Sequence, residues 1–268
     1  MEKLKMEGAF PMQRNIKIFL ALLMVLTLAA CSQTDGPQGK DKPYEAEAIL
    51  TAKVIDIKEM SILLASMAED AGSGDIYRIS GDKIDIITDN GNKLDIKALK
   101  RGMLVDVAFD GMIQESFPMG LGGVKGIYIK SQREDIPGLY KKVIEDLYKV
   151  DPGLNDNINI MAFDLTGVVN MTEAEKTALI YLIAETYGLE TIAGTYEELS
   201  EQGYINKEQF YFEKGLLFTI EDELISGDSF SFNAEKWRSG TGAYIFYDCK
   251  AVKSQDGWSY TIGAEMIS

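Results

Sequence analysis

Thr172-Glu173-Ala174-Glu175-Lys176-Thr177-Ala178-Leu179-Ile180-Tyr181-Leu182-Ile183-Ala184-Glu185-Thr186-Tyr187-Gly188 is the stretch on which the fold turns. Thr172 and Glu175 have the spacing of a capping box, in which each side chain satisfies the other's backbone N–H at a helix start. Gly188 supplies the left-handed residue that stops a helix. Between them, Ala178 to Ala184 is apolar on every side. A helix without a polar face is buried on most sides, so this one is expected to be the central core element of the C-terminal part.

Its neighbours follow from the same rules. Downstream, Thr195-Tyr196-Glu197-Glu198 is a second capping box, closed by Gly203. A β-meander is expected after it, over 215–222, 229–232, 242–253 and 258–262, with Ser254 to Gly257 as a hairpin loop. Upstream, residues 136–150 form an amphipathic helix, with Pro137 in the first turn and Leu139, Val143 and Leu147 in one stripe. Glu145 and Lys149 add an i,i+4 pair. Asp151-Pro152-Gly153 ends that helix, and 158–169 reads as a strand. Helices first and strands later predict an α+β domain over 136–268, its helices packed on one face of an antiparallel sheet.

Residues 44–131 read as mostly β, with a brief turn over Ile96 to Lys100. Ala46, Ala48, Leu50, Ala52 and Val54 alternate, and Ile55 and Ile57 then take the other parity, which predicts a bulge. Further strands are expected at 62–65, 76–79, 83–87, 104–109, 112–115 and 124–130. Asp89-Asn90-Gly91-Asn92 predicts a hairpin with a type I′ turn. Five or six short strands fit a small OB-like Greek-key barrel. The expected fold class is thus α+β with two domains, an N-terminal OB-like β-barrel and a C-terminal antiparallel sheet with packed helices.

Leu99-Lys100-Arg101-Gly102-Met103-Leu104-Val105-Asp106-Val107 resembles the Leu-x-x-Gly-x-x-Val-x-Val strand of an OB-like domain found in uncharacterised bacterial lipoproteins and secreted proteins. Gly111 to Pro118 is similar to that domain's Gly-x-Ile-x-Glu-Ser-Tyr-Pro segment, with Phe117 at the tyrosine position. The resemblance implies the fold and an envelope location. It supplies no catalytic residues.

Location is written most plainly at Arg14 to Cys31, RNIKIFLALLMVLTLAAC. Arg14 and Lys17 precede an apolar run from Ile18 to Leu28, the length of a signal-peptide core and short of the ~20 residues that span a bilayer. Leu28-Ala29-Ala30-Cys31 resembles the lipobox of bacterial lipoproteins. That implies cleavage of residues 1–30 and diacylglycerol with palmitate-type chains on Cys31. More than one chain makes such anchoring stable. The alternatives are an ordinary secretory signal and a retained membrane helix. Met12 is an alternative start. Residues 31–43 read as a lipidated polar tether on the outer face of a bacterial cell membrane.

Composition bounds the chemistry. Of 27 basic and 42 acidic residues, four and two fall in residues 1–30, so the mature part carries 23 and 40, a net charge of −17. Such a body repels nucleic acid. Histidine is absent, which excludes imidazole acid–base catalysis and His-ligated zinc. With Cys31 acylated, Cys249 stands alone, as a small buried strand residue. Gly120 to Gly126 lacks the spacing and following helix of a phosphate loop. Asp82 to Asp95 and Asp151 to Asn157 carry oxygen ligands without EF-hand spacing. No catalytic residue, metal ligand or cofactor is assigned. The acidic runs Glu197-Glu198 and Glu221-Asp222-Glu223 read as solvated faces or helix starts, and as a carboxylate pair only for a hydrolase. Trp237, Arg238 and Tyr244 form the candidate binding stretch, because Trp, Arg and Tyr dominate binding hot spots. The expected function is a membrane-anchored, extracytoplasmic, non-enzymatic binding module for an envelope protein or small ligand. The alternative is a carboxylate-dependent envelope hydrolase.

Overall fold

The computed structural model describes residues 46–68, 74–132 and 134–268. All of them fall within one compact unit, Lys42–Ser268. The signal, Cys31 and the tether lie outside the described residues.

The first half contains β1 (Ala48–Lys58), β2 (Ser61–Ser66), β3 (Ile76–Ser80), β4 (Asp85–Ile87), β5 (Lys93–Leu94), β6 (Met103–Phe109), β7 (Ile113–Gln114), β8 (Gly120–Leu121) and β9 (Gly126–Gln132). Seven of these strands make one sheet in the order β3-β2-β1-β6-β9-β4-β5, and β7 and β8 pair separately. The sheet path does not close on itself among the described strands. The parity slip in β1 is a register shift between Val54 and Asp56 against β2. It lets one strand serve two cores. Ala52 and Val54 pack with Val105, Val107 and Ile127 on one side, while Ile55 packs with Leu63, Ala65 and Ile76 on the other. The β4–β5 hairpin forms where Asn90-Gly91 stands, with Gly91 at φ +80°. Asn90 is not left-handed, so the turn is not type I′. A wider loop is closed instead by Thr88 N–H donating to the Asn92 carbonyl at 3.0 Å.

The second half contains α1 (Ile136–Lys149), β10 (Ile160–Asp164), α2 (Glu173–Tyr187), β11 (Glu190–Ala193), α3 (Tyr196–Glu201), β12 (Gly215–Asp222), β13 (Ser229–Ser239), β14 (Gly242–Ser254), β15 (Gly257–Thr261) and β16 (Ala264–Ile267). Its sheet runs β11-β10-β12-β13-β14-β15, with β16 also on β14. This corrects the expected antiparallel sheet. β10 is parallel to both β11 and β12, because α2 is the crossover between two strands of the same direction, and such strands need one. Helices also cover both faces rather than one. The Met161, Phe163 and Phe218 side meets α1 and α2, and the Ile160, Ala162 and Leu217 side meets Leu199 of α3 with Ile205 and Phe212. The overall class is α+β.

The apolar girdle of α2 now has its reason. Leu179 and Ile183 face the second sheet, and Ala174, Ala178 and Leu182 face Ile55, Leu63, Ala65 and Ile76 of the first. The helix is shared between two sheets. Its capping box is formed as expected, and Glu175 does a second job. Its Oε2 accepts from the Thr172 N–H at 3.0 Å while Oε1 accepts from Lys53 Nζ of β1 at 2.5 Å. Both side chains are nearly sealed from solvent, with 9% and 2% exposure. Lys53 also donates to the Glu134 carbonyl at 3.3 Å, which ties β1 to the segment leading into α1.

Candidate functional site

The parallel strands create a crevice that no single segment of sequence announces. After β10 the chain turns to α2 on one face of the sheet, and after β11 it turns to α3 on the other. Where neighbouring parallel strands send their connections to opposite faces, a cleft opens at their carboxyl ends, the usual ligand position of α/β sheets. The cavity there measures about 390 Å³. Phe163, Leu165, Ile180 and Ala193 supply apolar wall, and Thr166, Glu173, Lys176, Thr177 and Glu198 supply polar groups.

Four of these five polar groups are set by local structure. Thr166 is held by Asp164, whose Oδ1 accepts its N–H at 3.1 Å and its hydroxyl at 2.6 Å. Lys176 and Glu173 lie in the first turn of α2 and pair at 2.9 Å. Glu198 closes the capping box of α3, its Oε2 accepting from the Thr195 N–H at 2.9 Å. An apolar wall with a few convergent polar groups is the common make-up of a small-molecule site. The mix of ammonium, carboxylate and hydroxyl groups suits a small polar ligand with an apolar part.

A larger groove lies between the two sheets. It measures about 590 Å³ and is lined by Arg101, Glu134, Asp135, Lys253 and Trp258 among others. Its polar groups are spent on each other. Glu134 accepts from Lys253 Nζ and from Trp258 Nε1, both at 2.7 Å. Asp135 caps α1 by accepting from the Gly138 N–H at 3.0 Å and lies 3.6 Å from Arg101. Burial raises its carboxyl above the usual range, against the pull of Arg101. These contacts join the sheets.

The three residues singled out in sequence do not form one patch. The stretch is a hairpin between β13 and β14. Trp237 is half-buried on the α3 face, edge-on to Tyr196 at 5.2 Å. Tyr244 packs on the opposite face, edge-on to Phe246 at 6.0 Å, and donates its hydroxyl to Glu265. Arg238 donates to the Leu154 and Asp156 carbonyls, each at 2.7 Å, and to the Glu213 carbonyl at 3.2 Å. Its guanidinium binds the protein's own turn.

That turn is the oxygen-rich Asp151 to Asn157 segment, and Lys236 sits at its centre. Lys236 is fully buried. Its Nζ donates to the Val150 carbonyl at 2.5 Å and to the Asp151 carbonyl and Asn155 Oδ1, both at 3.2 Å. Three donors meet three acceptors, with Asp151 at φ +42° bending the chain around the ammonium. Burial lowers the Lys236 pKa to about 8. Among the described residues, no cluster of three or more acidic, cysteine or histidine groups suited to a metal ion occurs.

The remaining acidic candidates divide. Asp222 is structural: it accepts from Tyr140 at 2.6 Å, the Val169 N–H at 2.6 Å and Asn170 at 2.8 Å. Glu235 faces the same side of the sheet as Glu221, its diagonal neighbour across β12 and β13. Burial raises its carboxyl, and the Glu221 charge raises it further. Cys249 is buried, and burial pushes its thiol up to about 11, an unreactive group. Compared with known proteins, the chain matches no family model, no curated protein sequence and no solved structure.

Proposed function

We propose that the chain is an extracytoplasmic lipoprotein, held to a bacterial membrane through Cys31, whose body is a binding module for a small polar ligand. The carrying observation is the crevice at the ends of β10 and β11, with its apolar wall and convergent Thr166, Lys176, Thr177 and Glu198. Cys31 in Leu-Ala-Ala-Cys supports the anchor. The Cys31→Ser variant is expected to move from the membrane to the soluble fraction. Unchanged retention with unchanged mass would remove the lipid.

The crevice is tested by Ala193→Trp, which places a large ring in the cavity from an exposed position. Native mass spectrometry of protein isolated from the envelope should show a small molecule on the wild type and its loss, at least tenfold, from the variant. The same adduct on both would place the ligand elsewhere.

The N-terminal half is proposed as OB-like in plan. β1 pairs with both β2 and β6, and β9 runs antiparallel to β6. Only Gly81 to Ile84 separates β3, which pairs with β2, from β4, which pairs in parallel with β9. If β3 and β4 are two parts of one strand, that strand bridges the two ends of the sheet, as an OB barrel requires.

A carboxylate-dependent envelope hydrolase is the second reading, favoured by the raised Glu235 beside Glu221. Turnover of cell-wall fragments, lost in Glu235→Gln, would replace the binder with the enzyme.

A further inference from the structure

The segment from Asp110 to Val124 leaves the first sheet after β6 and returns to it before β9. One part of it is rooted: Met119, Leu121 and Val124 pack on the core between the strands. The other part is turned outward. Met112 is 64% exposed, Ile113 49% and Phe117 69%. Three large apolar side chains within six residues are an unusual load for a short hairpin on a body of net charge −17.

The hairpin holds its own shape. Asp110 Oδ1 accepts from the Met112 N–H at 3.0 Å, and the Met112 carbonyl accepts from the Gly122 N–H at 2.8 Å. Ser116 donates its hydroxyl to the Pro118 carbonyl at 2.8 Å, and its N–H bonds the Gln114 carbonyl at 2.9 Å. Gly122 and Gly123 pass so close to the Asp110 carboxylate that a Cβ at either would lie within 3 Å of it. Phe117 rests edge-on against Tyr181 of α2 at 5.7 Å. The apolar groups are therefore presented by a hairpin braced through its backbone.

The position of this hairpin matters as much as its composition. β1 begins at Ala48, which pairs with Phe109. A Cβ on Gly111 would touch the Ala48 Cβ at 3.9 Å. So the chain coming from Cys31 enters the fold beside the base of the hairpin. Fourteen residues, Ser32 to Glu45, separate Cys31 from Ala46, and fully extended they reach about 50 Å at most. We propose that the 112–117 hairpin is a membrane-contact wedge: Met112, Ile113 and Phe117 enter the headgroup–acyl boundary of the bilayer that holds the lipid, and so orient the body on its tether. The inference rests on the lipid-anchor reading. Its chemistry is apolar, because the acidic body is repelled by anionic headgroups and the tip itself carries Glu115. Glu115 keeps the contact at the interface, the depth at which apolar faces of surface-bound segments settle.

The test uses the full mature lipidated chain in phosphatidylethanolamine–phosphatidylglycerol vesicles. With Cys31 acylated and Cys249 buried, Ile113→Cys introduces a thiol that takes an environment-sensitive fluorophore selectively. Met112→Cys is a second hairpin position, and Met266→Cys on β16 is the comparison site. Vesicle flotation reports the anchor, and quenching by lipids carrying a spin label near the headgroup reports the wedge. Flotation with at least twofold stronger quenching at 112 and 113 than at 266, unchanged by salt, is the expected result. Flotation with equal, weak quenching at all three sites would overturn the wedge and leave the anchor standing. Absence of flotation would overturn both. A hairpin label that stays in water on vesicles but is shielded in native membranes would assign the hairpin to a protein partner and overturn the lipid inference.

Discussion

Lys53→Met is expected to cost about 3–5 kcal/mol of stability, because it strands the Glu175 carboxylate in the seam between the two sheets. Glu175 is 2% exposed and would keep only the Thr172 N–H as a partner. On a body of this size the loss corresponds to a fall in melting temperature on the order of 10 °C. The double variant Lys53→Met/Glu175→Gln separates the pair from its desolvation. Glutamine retains the capping-box acceptor and carries no charge, so the double variant should recover to within about 2 kcal/mol of the wild type. Thermal unfolding of the wild type, Lys53→Met, Glu175→Gln and the double variant gives the coupling directly. Equal losses in the single and double variants would show that Lys53 acts through its contact with the Glu134 carbonyl instead.

Lys236→Met should cost about 2–4 kcal/mol. The methionine fills the stem of the lysine but leaves the Val150 and Asp151 carbonyls and Asn155 Oδ1 without their donor. The pH dependence identifies the ammonium. In the folded protein Lys236 loses its proton near pH 8, against an ordinary value of 10.5. Below about 8 both states hold the proton and the folded state bears the full penalty of burying it. Between about 8 and 10.5 the unfolded chain binds more protons, so this group makes stability rise with pH, and above that the gain is complete. Cys249, with its raised thiol, opposes this from about pH 9 upward. The difference between wild type and variant isolates Lys236: the deficit of the variant should widen from pH 7.5 to 10 in chemical unfolding. A constant deficit would show that the lysine keeps its proton in the fold up to pH 10.

Both buried lysines mark the limit of what local sequence conveys. The parity slip at Ile55 placed the β1 bulge because alternation is local. The capping boxes at Thr172 and Thr195 placed two helix starts for the same reason, and both formed. The even apolarity of Ala178 to Ala184 showed that α2 is buried, but not that the second surface against it belongs to another sheet. Glu190 to Ala193 is short, half-exposed and mixed in polarity, so β11 left no periodic trace. Without β11 the parallel pairing of β10 was invisible, and with it the crevice. Trp237 and Arg238 suggest binding residues by their type. The same aromatic bulk and multiple donors also serve burial, and the Arg238 acceptors at Leu154 and Asp156 lie more than 80 residues away.

The place of β1 has a mechanical consequence. A chain fixed at its amino end to a surface transmits any drag on the body through its first ordered strand. Here that strand lies inside the sheet, with β2 on one side and β6 on the other. Its ladder bonds lie across the direction of pull. Tension entering at Ala48 therefore loads many bonds in shear rather than peeling them one at a time from an edge. The Lys53–Glu175 pair passes part of the same load to α2, and through it to the second sheet. An anchor at the amino end, as proposed, would thus pull on an interior strand of a body with no disulfide among its described residues.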